Sequence, residues 1–302
     1  MRVVTVATHS ERYYPILQKS CEDRGVNLEV LGWGLRWQGL TWKLKLMNEY
    51  IQTLDDNEIV MFIDGFDTII LQDLSYIETC FRSCDTSIVF SSEKENPSTI
   101  GAYIQRKMFG PVRGNIYINT GMYVGYAHAL KQLYKHLHDE LIHQPSANDQ
   151  RLVAQLLRSG KIPSFKLDTD NKLFLNILDF NFMDKNIRLH NNEFVRISPN
   201  NNGKLLNKIN DFTPCVLQAP ARTNIMELLK YLNYDTLLVD KGNPKTSMWF
   251  IMGTMKGFME ELILEIIICL IILILIVYLL YQAYKYTMSS LFSSSIPTGV
   301  AG

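Results

Sequence analysis

Apolar residues along the chain fall into short β-branched runs that alternate with stretches where they recur every three or four positions, the pattern of strands alternating with helices. Val3 to Thr8 predicts a first strand, Glu11 to Arg24 a helix with Tyr14, Leu17 and Cys21 on one face, and Asn27 to Gly32 a second strand. Strand, helix, strand implies a parallel βαβ opening. Trp42 to Leu54, apolar at Leu44, Met47 and Ile51, predicts a helix leading into a strand that begins at Ile59 and ends at Asp64. The alternation continues through Leu74 to Cys84 (helix) and Ser87 to Phe90 (strand), then loops at Asn96-Pro97 and Gly110-Pro111 around a candidate helix. Tyr117 to Tyr126 predicts a strand, Ala127 to His143 a long amphipathic helix, Asp149 to Ser159 another helix and Ser164 to Leu167 a short strand. Asn171 to Asp211 is rich in Asn and reads as a smaller, irregular β region. Pro214 to Gln218 predicts the last strand and Thr223 to Leu232 the last helix. The expected fold is therefore α/β, a mostly parallel sheet flanked by helices.

A chain of 302 residues can bury a sizeable core, and one large domain with an appendage fits best. Lys+Arg and Asp+Glu balance at 30 each, and no basic run interleaves with aromatics, so nucleic acid is not an expected partner. The five cysteines, Cys21, Cys80, Cys84, Cys215 and Cys269, show neither a C-x-x-C pair nor zinc spacing, which argues against a disulfide framework.

The apolar run after Met1-Arg2 is far too short for the hydrophobic core of a secretory signal. Leu262 to Tyr284, by contrast, is almost wholly apolar apart from Glu265 and has roughly the length that spans a bilayer. Tyr278, Tyr281, Tyr284 and Tyr286 gather at its far end, where amphipathic rings favour the interface. The expected organisation is a domain at 1–234, a linker at 235–261, a transmembrane helix at 262–284 and a short Ser-rich tail at 285–302. Lys245 and Lys256 before the helix, against Lys285 after it, favour a tail-anchored protein with its large domain in the cytosol, although the luminal side stays open.

The candidate chemistry sits where the strand ends, in Phe62-Ile63-Asp64-Gly65-Phe66-Asp67. Carboxylates at the end of a buried strand are costly unless a cation or hydrogen-bond donors compensate them. Two hard oxygen ligands suit Mn²⁺ or Mg²⁺ holding a nucleotide diphosphate, and the carboxyl ends of a parallel sheet are where open α/β folds bind ligands. The same four residues also fit a turn in which Asp64 caps backbone amides and Asp67 faces water.

From about Val3 to Tyr234 the chain resembles the glycosyltransferase domain of the lysyl hydroxylase and procollagen glycosyltransferase family. The matching pieces, in order, are Val3 to Thr8, Val30-Leu31-Gly32-Trp33-Gly34 with Trp37 and Gly39, Lys43, Phe62 to Asp67, Val89-Phe90-Ser91-Ser92-Glu93, Ile118-Asn119-Thr120-Gly121 with Gly125-Tyr126-Ala127, Asn148-Asp149-Gln150, and Leu167-Asp168. The resemblance implies a GT-A type fold, a UDP-sugar donor, Mn²⁺ (or Mg²⁺) on Asp64 and Asp67, and a protein or glycan acceptor such as collagen-like hydroxylysine or galactosyl-hydroxylysine. It implies no hydroxylase portion, since the residues that follow read as the membrane segment.

Carried over position by position, Phe66 matches an aromatic that stacks on uracil, Lys43 a lysine near the donor, and Trp37 a wall of the nucleotide pocket. Core packing for Phe66, a solvated helix face for Lys43 and a core cover for Trp37 are the plainer readings. Asn119, Thr120 and Gly121 fit a turn beneath the donor sugar or simply a turn. Asp149 matches an acidic stretch facing the transferred sugar and acceptor, as a general base or a sugar-binding carboxylate, and fits a helix N-cap as well. Asp168 is expected to support its loop. The family places a metal-binding histidine after the final strand, where this chain has Gln218-Ala219-Pro220-Ala221-Arg222. Gln218 can ligate a hard ion, and Arg222 can replace a missing phosphate-binding lysine. A degenerate, non-catalytic sugar-nucleotide or glycan-binding membrane protein is the alternative reading.

Overall fold

Alternate residues of the central strands enter opposite cores. Val4, Val6, Val60 and Phe62 pack on one side, Val3, Ile59, Met61 and Ile63 on the other, as the period of two requires. A strand buried on both faces reads as an unbroken apolar run, which is why Ile59 to Ile63 lacks polar alternation. The computed structural model describes residues 1–143, 148–162, 164–177, 195–197, 205–208, 210–220, 223–239, 263, 266–268 and 270–286.

In chain order the elements are β1 (Arg2–Val6), α1 (Tyr14–Glu22), β2 (Leu28–Leu31), α2 (Leu40–Gln52), β3 (Ile59–Ile63), β4 (Thr68–Ile70), α3 (Leu74–Arg82), β5 (Ile88–Lys94) and α4 (Thr99–Met108). There follow β6 (Ile116–Tyr126), α5 (Ala127–His143), α6 (Asp149–Arg158), β7 (Phe165–Asp168), β8 (Phe174–Asn176), β9 (Val195–Ile197), β10 (Leu205–Asn207), β11 (Val216–Gln218) and α7 (Met226–Tyr231). The main sheet has the order β2-β1-β3-β6-β5-β7. β1 runs parallel to β2 and β3, β5 parallel to β7, and only β6 is antiparallel to its neighbours, so the sheet is mostly parallel as expected. Residues of α2, α5 and α6 fill the core on one face, and residues of α1 and α3, with β8 and β11, fill the other.

The strand expected to end at Asp64 is β3, which stops at Ile63, and a second short strand follows the aspartates. β3 belongs to the main sheet, whereas β4 leaves it to pair antiparallel with β11, which also pairs parallel with β8. The Asp64-Gly65-Phe66-Asp67 step is thus the crossing between two sheets. Gly65 permits it, because a Cβ there would lie 3.0 Å from Thr5 Oγ1 and 3.3 Å from Ala7 Cβ.

Asn119, Thr120 and Gly121 form no turn; they lie inside β6, opposite a register shift between Phe90 and Ser91 of β5. Gly121 looked like a turn signal but serves a close approach. Most of the Asn-rich stretch lies outside the described residues, as do Arg222 and Cys269; Cys21, Cys80, Cys84 and Cys215 are free thiols.

The chain divides into Met1–Pro244 and Lys245–Gly302. In the second unit the helix Ile266–Tyr286, 21 residues long, is apolar and long enough to cross a membrane by length and composition. At 1.5 Å per residue it extends about 31 Å, the thickness of a bilayer's hydrocarbon core.

Candidate functional site

The crossing brings the ends of β3, β4, β6 and β11 together. Asp64 follows the last residue of β3, and its backbone N–H donates to Gly121 O at 2.7 Å. Ala219 N, just past β11, donates to Asp67 O at 2.8 Å, which fastens the other side of the step. Gln218 ends β11 at 2 % exposure, and its Nε2 donates to Asp67 Oδ1 at 3.1 Å and Asp64 Oδ2 at 3.4 Å. Residues 151 and 154 positions apart in sequence therefore meet at one point. Gly121 leaves the room for this, since a Cβ there would fall 2.3 Å from Gln218 Nε2 and 2.7 Å from Asp64 Oδ2.

Crowding raises the proton affinity of both carboxyls. Burial, then the charge of Asp64, pushes Asp67 up to about 7. Burial also raises Asp64, against the pull of Lys43. The Asp64 side chain nevertheless keeps 32 % of its surface accessible, so the pair is open to solvent. The turn reading, with Asp67 turned to water, does not describe this arrangement.

Lys43 is not on a solvated helix face. Its side chain is 9 % exposed, and Nζ lies 2.7 Å from Asp149 Oδ2 and 3.4 Å from Asp64 Oδ1. Burial alone would depress an ammonium, but Asp149 and Asp64 outweigh it and hold Lys43 above its ordinary value. Asp149 Oδ2 also accepts from Thr120 Oγ1 at 3.2 Å. The helix cap is Asn148, whose side chain accepts from Arg151 N at 3.1 Å, so Asp149 is the first residue of α6, where helix polarity favours a carboxylate.

Asn119 donates to Glu93 at 2.5 Å and accepts from Gly121 N at 2.6 Å, so its amide ties β5 to the backbone that receives Asp64. Burial raises the Glu93 carboxyl to about 7, against the Asn119 hydrogen bond. The sequence pattern assigns Glu93 no role; its one signal is an acid following the apolar run Ile88 to Phe90. Asp168 accepts from Lys172 N, Leu173 N and Phe174 N at 3.2, 2.8 and 2.7 Å, and so supports its loop.

Phe66 lies 5.6 Å from His9 and 6.4 Å from Tyr14, ring centre to ring centre. Trp37 packs edge-on against Trp42 at 5.5 Å, while Trp33, rather than Trp37, stacks on Tyr14 at 5.1 Å. An aromatic rim thus runs from Trp33 through Tyr14 to Phe66.

The donor set fits a hard divalent ion. Among the described residues no group of three His, Cys, Asp or Glu side chains is placed to hold a metal. The third donor here is an amide. Gln218 Oε1 is buried and has no hydrogen-bond partner among the described residues. A half-turn of that amide would bring an oxygen to the two carboxylates, giving three oxygen donors of the kind Mg²⁺ and Mn²⁺ accept.

The PLOD GT domain family matches residues 1–238. A Drosophila melanogaster procollagen-lysine,2-oxoglutarate 5-dioxygenase is 27 % identical over 191 residues, covering 59 % of this chain and 25 % of that protein. A Caenorhabditis elegans multifunctional procollagen lysine hydroxylase and glycosyltransferase is 24 % identical over 196 residues, covering 58 % and 25 %. The chain thus aligns with about a quarter of the length of these relatives. Among solved structures, the galactosyltransferase LgtC in complex with donor and acceptor sugar analogs aligns at a TM-score of 0.39 and 13 % identity, over 61 % of this chain and 77 % of that one. A glycosyltransferase involved in glycosylation of the major capsid of PBCV-1 gives 0.39 and 12 %, over 58 % and 84 %.

Proposed function

The chain belongs to the PLOD GT domain family, a family of glycosyltransferases, and from that premise we propose that it moves a hexose, glucose or galactose, from a UDP-sugar to a hydroxyl acceptor with the help of Mn²⁺ or Mg²⁺. Collagen-like hydroxylysine, or galactose already attached to it, is the proposed acceptor. The observation that carries the reading is the convergence of Asp64, Asp67 and Gln218 at the crossing between two sheets, with Lys43 3.4 Å from Asp64.

In this proposal Asp64, Asp67 and Gln218 hold the ion. When bound, the ion supplies Lewis-acid stabilisation of the charge that develops on the departing diphosphate. Phe66, joined to Trp33 through Tyr14, bounds the nucleoside side, and Trp37, packed on Trp42, is proposed as a further wall. Lys43 fixes Asp149 and Asp64 relative to each other and contributes positive charge on the phosphate side. Asp149 is 4 % exposed and has Oδ2 held by Lys43 and Thr120. Such a carboxylate suits a hydroxyl of the transferred sugar better than the proton of a bulky acceptor, so the sugar-binding role is the one proposed for it. Asn119, Thr120 and Gly121 form the floor below.

One observation favours a second reading, a non-catalytic sugar-nucleotide binder. Gln218 Nε2 already donates to both carboxylates, so the chain partly compensates them itself. Release of UDP from UDP-glucose or UDP-galactose by the full chain, with and without Mn²⁺, separates the two. Metal-dependent release supports the transferase, and tight binding without release at any metal concentration supports the binder.

Anchoring through 262–284, with the large domain cytosolic, completes the proposal. Asn-x-Ser/Thr sequences introduced before residue 262 are then expected to stay unglycosylated in cells, and their efficient glycosylation would place that domain in the lumen.

A further inference from the structure

We propose that Asn176 is a binding residue for the transferred sugar, its side-chain oxygen accepting a hydrogen bond from a sugar hydroxyl. The inference rests on the donor reading above and deepens it. Asn176 ends β8 and is the register partner of Gln218 in the parallel strand β11. Paired residues of neighbouring strands project from the same face about 5 Å apart, so Asn176 lies on the face from which Gln218 meets the carboxylate pair.

The Asn176 amide has a fixed orientation. Its Nδ2 donates to Ser92 O at 3.0 Å and to Ser91 Oγ at 2.6 Å, and a backbone carbonyl can only accept. Oδ1 is therefore turned away from β5. It is buried in a residue only 7 % exposed and has no hydrogen-bond partner among the described residues. An unpaired buried carbonyl oxygen is costly and rare, and here two of them, Asn176 Oδ1 and Gln218 Oε1, arise on one face of one small sheet.

Position selects the ligand. Ser91, which holds the amide, is the register partner of Asn119, so Asn176 lies between the proposed ion site and the Asn119–Glu93 pair. On the Gln218 side the amide donor Nε2 is already taken by Asp64 and Asp67, so it leaves Asn176 Oδ1 without a partner. The missing partner is a donor, and a hexose linked to a metal-held diphosphate brings several hydroxyl donors to that place.

Calorimetry of the full chain with Mn²⁺ tests this, titrating UDP and UDP-hexose (glucose and galactose forms) into the unaltered protein and Asn176→Ala. UDP binding is expected to stay within about twofold, while the UDP-hexose that the unaltered chain binds more tightly weakens about tenfold, one neutral hydrogen bond. Equal losses for both ligands would mean a purely structural role and overturn the proposal, as would no loss for either. Binding of neither ligand by the unaltered chain overturns the donor reading and this inference with it. Should Asn176→Ala fail to fold, crystals of the unaltered protein with UDP-hexose decide. A sugar hydroxyl on Asn176 Oδ1 supports the proposal, and water alone at that atom overturns it.

Discussion

The two halves of the site solve the problem of buried polar groups in opposite ways. On the side of α2 and α6, Lys43 Nζ bridges Asp149 at 2.7 Å and Asp64 at 3.4 Å, and Thr120 supplies Asp149 with a further hydrogen bond. That half is complete without a ligand. On the side of the small sheet, Gln218 meets Asp67 and has Asn176 as its neighbour on the next strand, with two amide oxygens unpartnered and a carboxyl whose proton affinity is raised by burial. The contrast separates scaffold from receptor: the first half fixes geometry, and the second is short of donors and positive charge that a cation and a sugar would provide.

Removing the scaffold's cation is expected to have the largest effect. Lys43→Ala strands Asp149 and Asp64 without their shared ammonium, and breaking a buried pair from one side costs about 3–5 kcal/mol. A chemical denaturation midpoint that barely moves would show that the two halves do not differ as described.

Asp64→Asn should act on the receptor half with the opposite signature. The fold is expected to persist, because the neutral side chain removes a crowded charge, while UDP affinity in Mn²⁺ falls on the order of 100-fold, read by calorimetry. Equal affinity with and without Mn²⁺ in the unaltered chain would break the comparison at this point.

Acidity offers a third handle. The folded value for Asp67, about 7, lies above the roughly 3.9 of an unfolded aspartate. Stability from this group is therefore complete below about pH 4 and is lost as pH rises through 7, because the unfolded chain sheds the proton first. For the metal-free protein the loss should be about 1–2 kcal/mol after allowing for solvent screening at this partly exposed pair. Melting curves between pH 5 and pH 8 should show it, Asp67→Asn should flatten it, and Mn²⁺ should stabilise the chain more at pH 8 than at pH 5. A metal effect that is larger at pH 5 would contradict the assignment.

The smallest expected change is a gain. Gln218→His installs an imidazole of the kind the family resemblance places after the last strand, and Mn²⁺ affinity should rise about tenfold. An unchanged or weaker affinity would mean that the amide is not positioned as a ligand.

Much of this arrangement was legible in the chain because it depends on local pattern. The apolar run ending at Asp64 located the receptor, and the βαβ opening placed it at the carboxyl edge of the sheet. What escaped was convergence across distance. Gln218 and Asp67 are joined over 151 positions, and Asn176 reaches Ser91 over 85, distances at which spacing carries no information. Asn176 left a trace, one amide inside the apolar stretch Leu173 to Ile177, but nothing in the pattern shows which strand lies beside it. Gly121 misled for a related reason, since a glycine required by a side chain from another sheet looks the same as a glycine required by a turn.

Diffraction at the manganese absorption edge, from crystals of the protein grown with Mn²⁺ and UDP, tests the central claim most directly. An anomalous peak between Asp64, Asp67 and Gln218 with the diphosphate against it is expected, and saturating Mn²⁺ that leaves this point empty while nucleotide is absent or bound elsewhere would contradict the assignment.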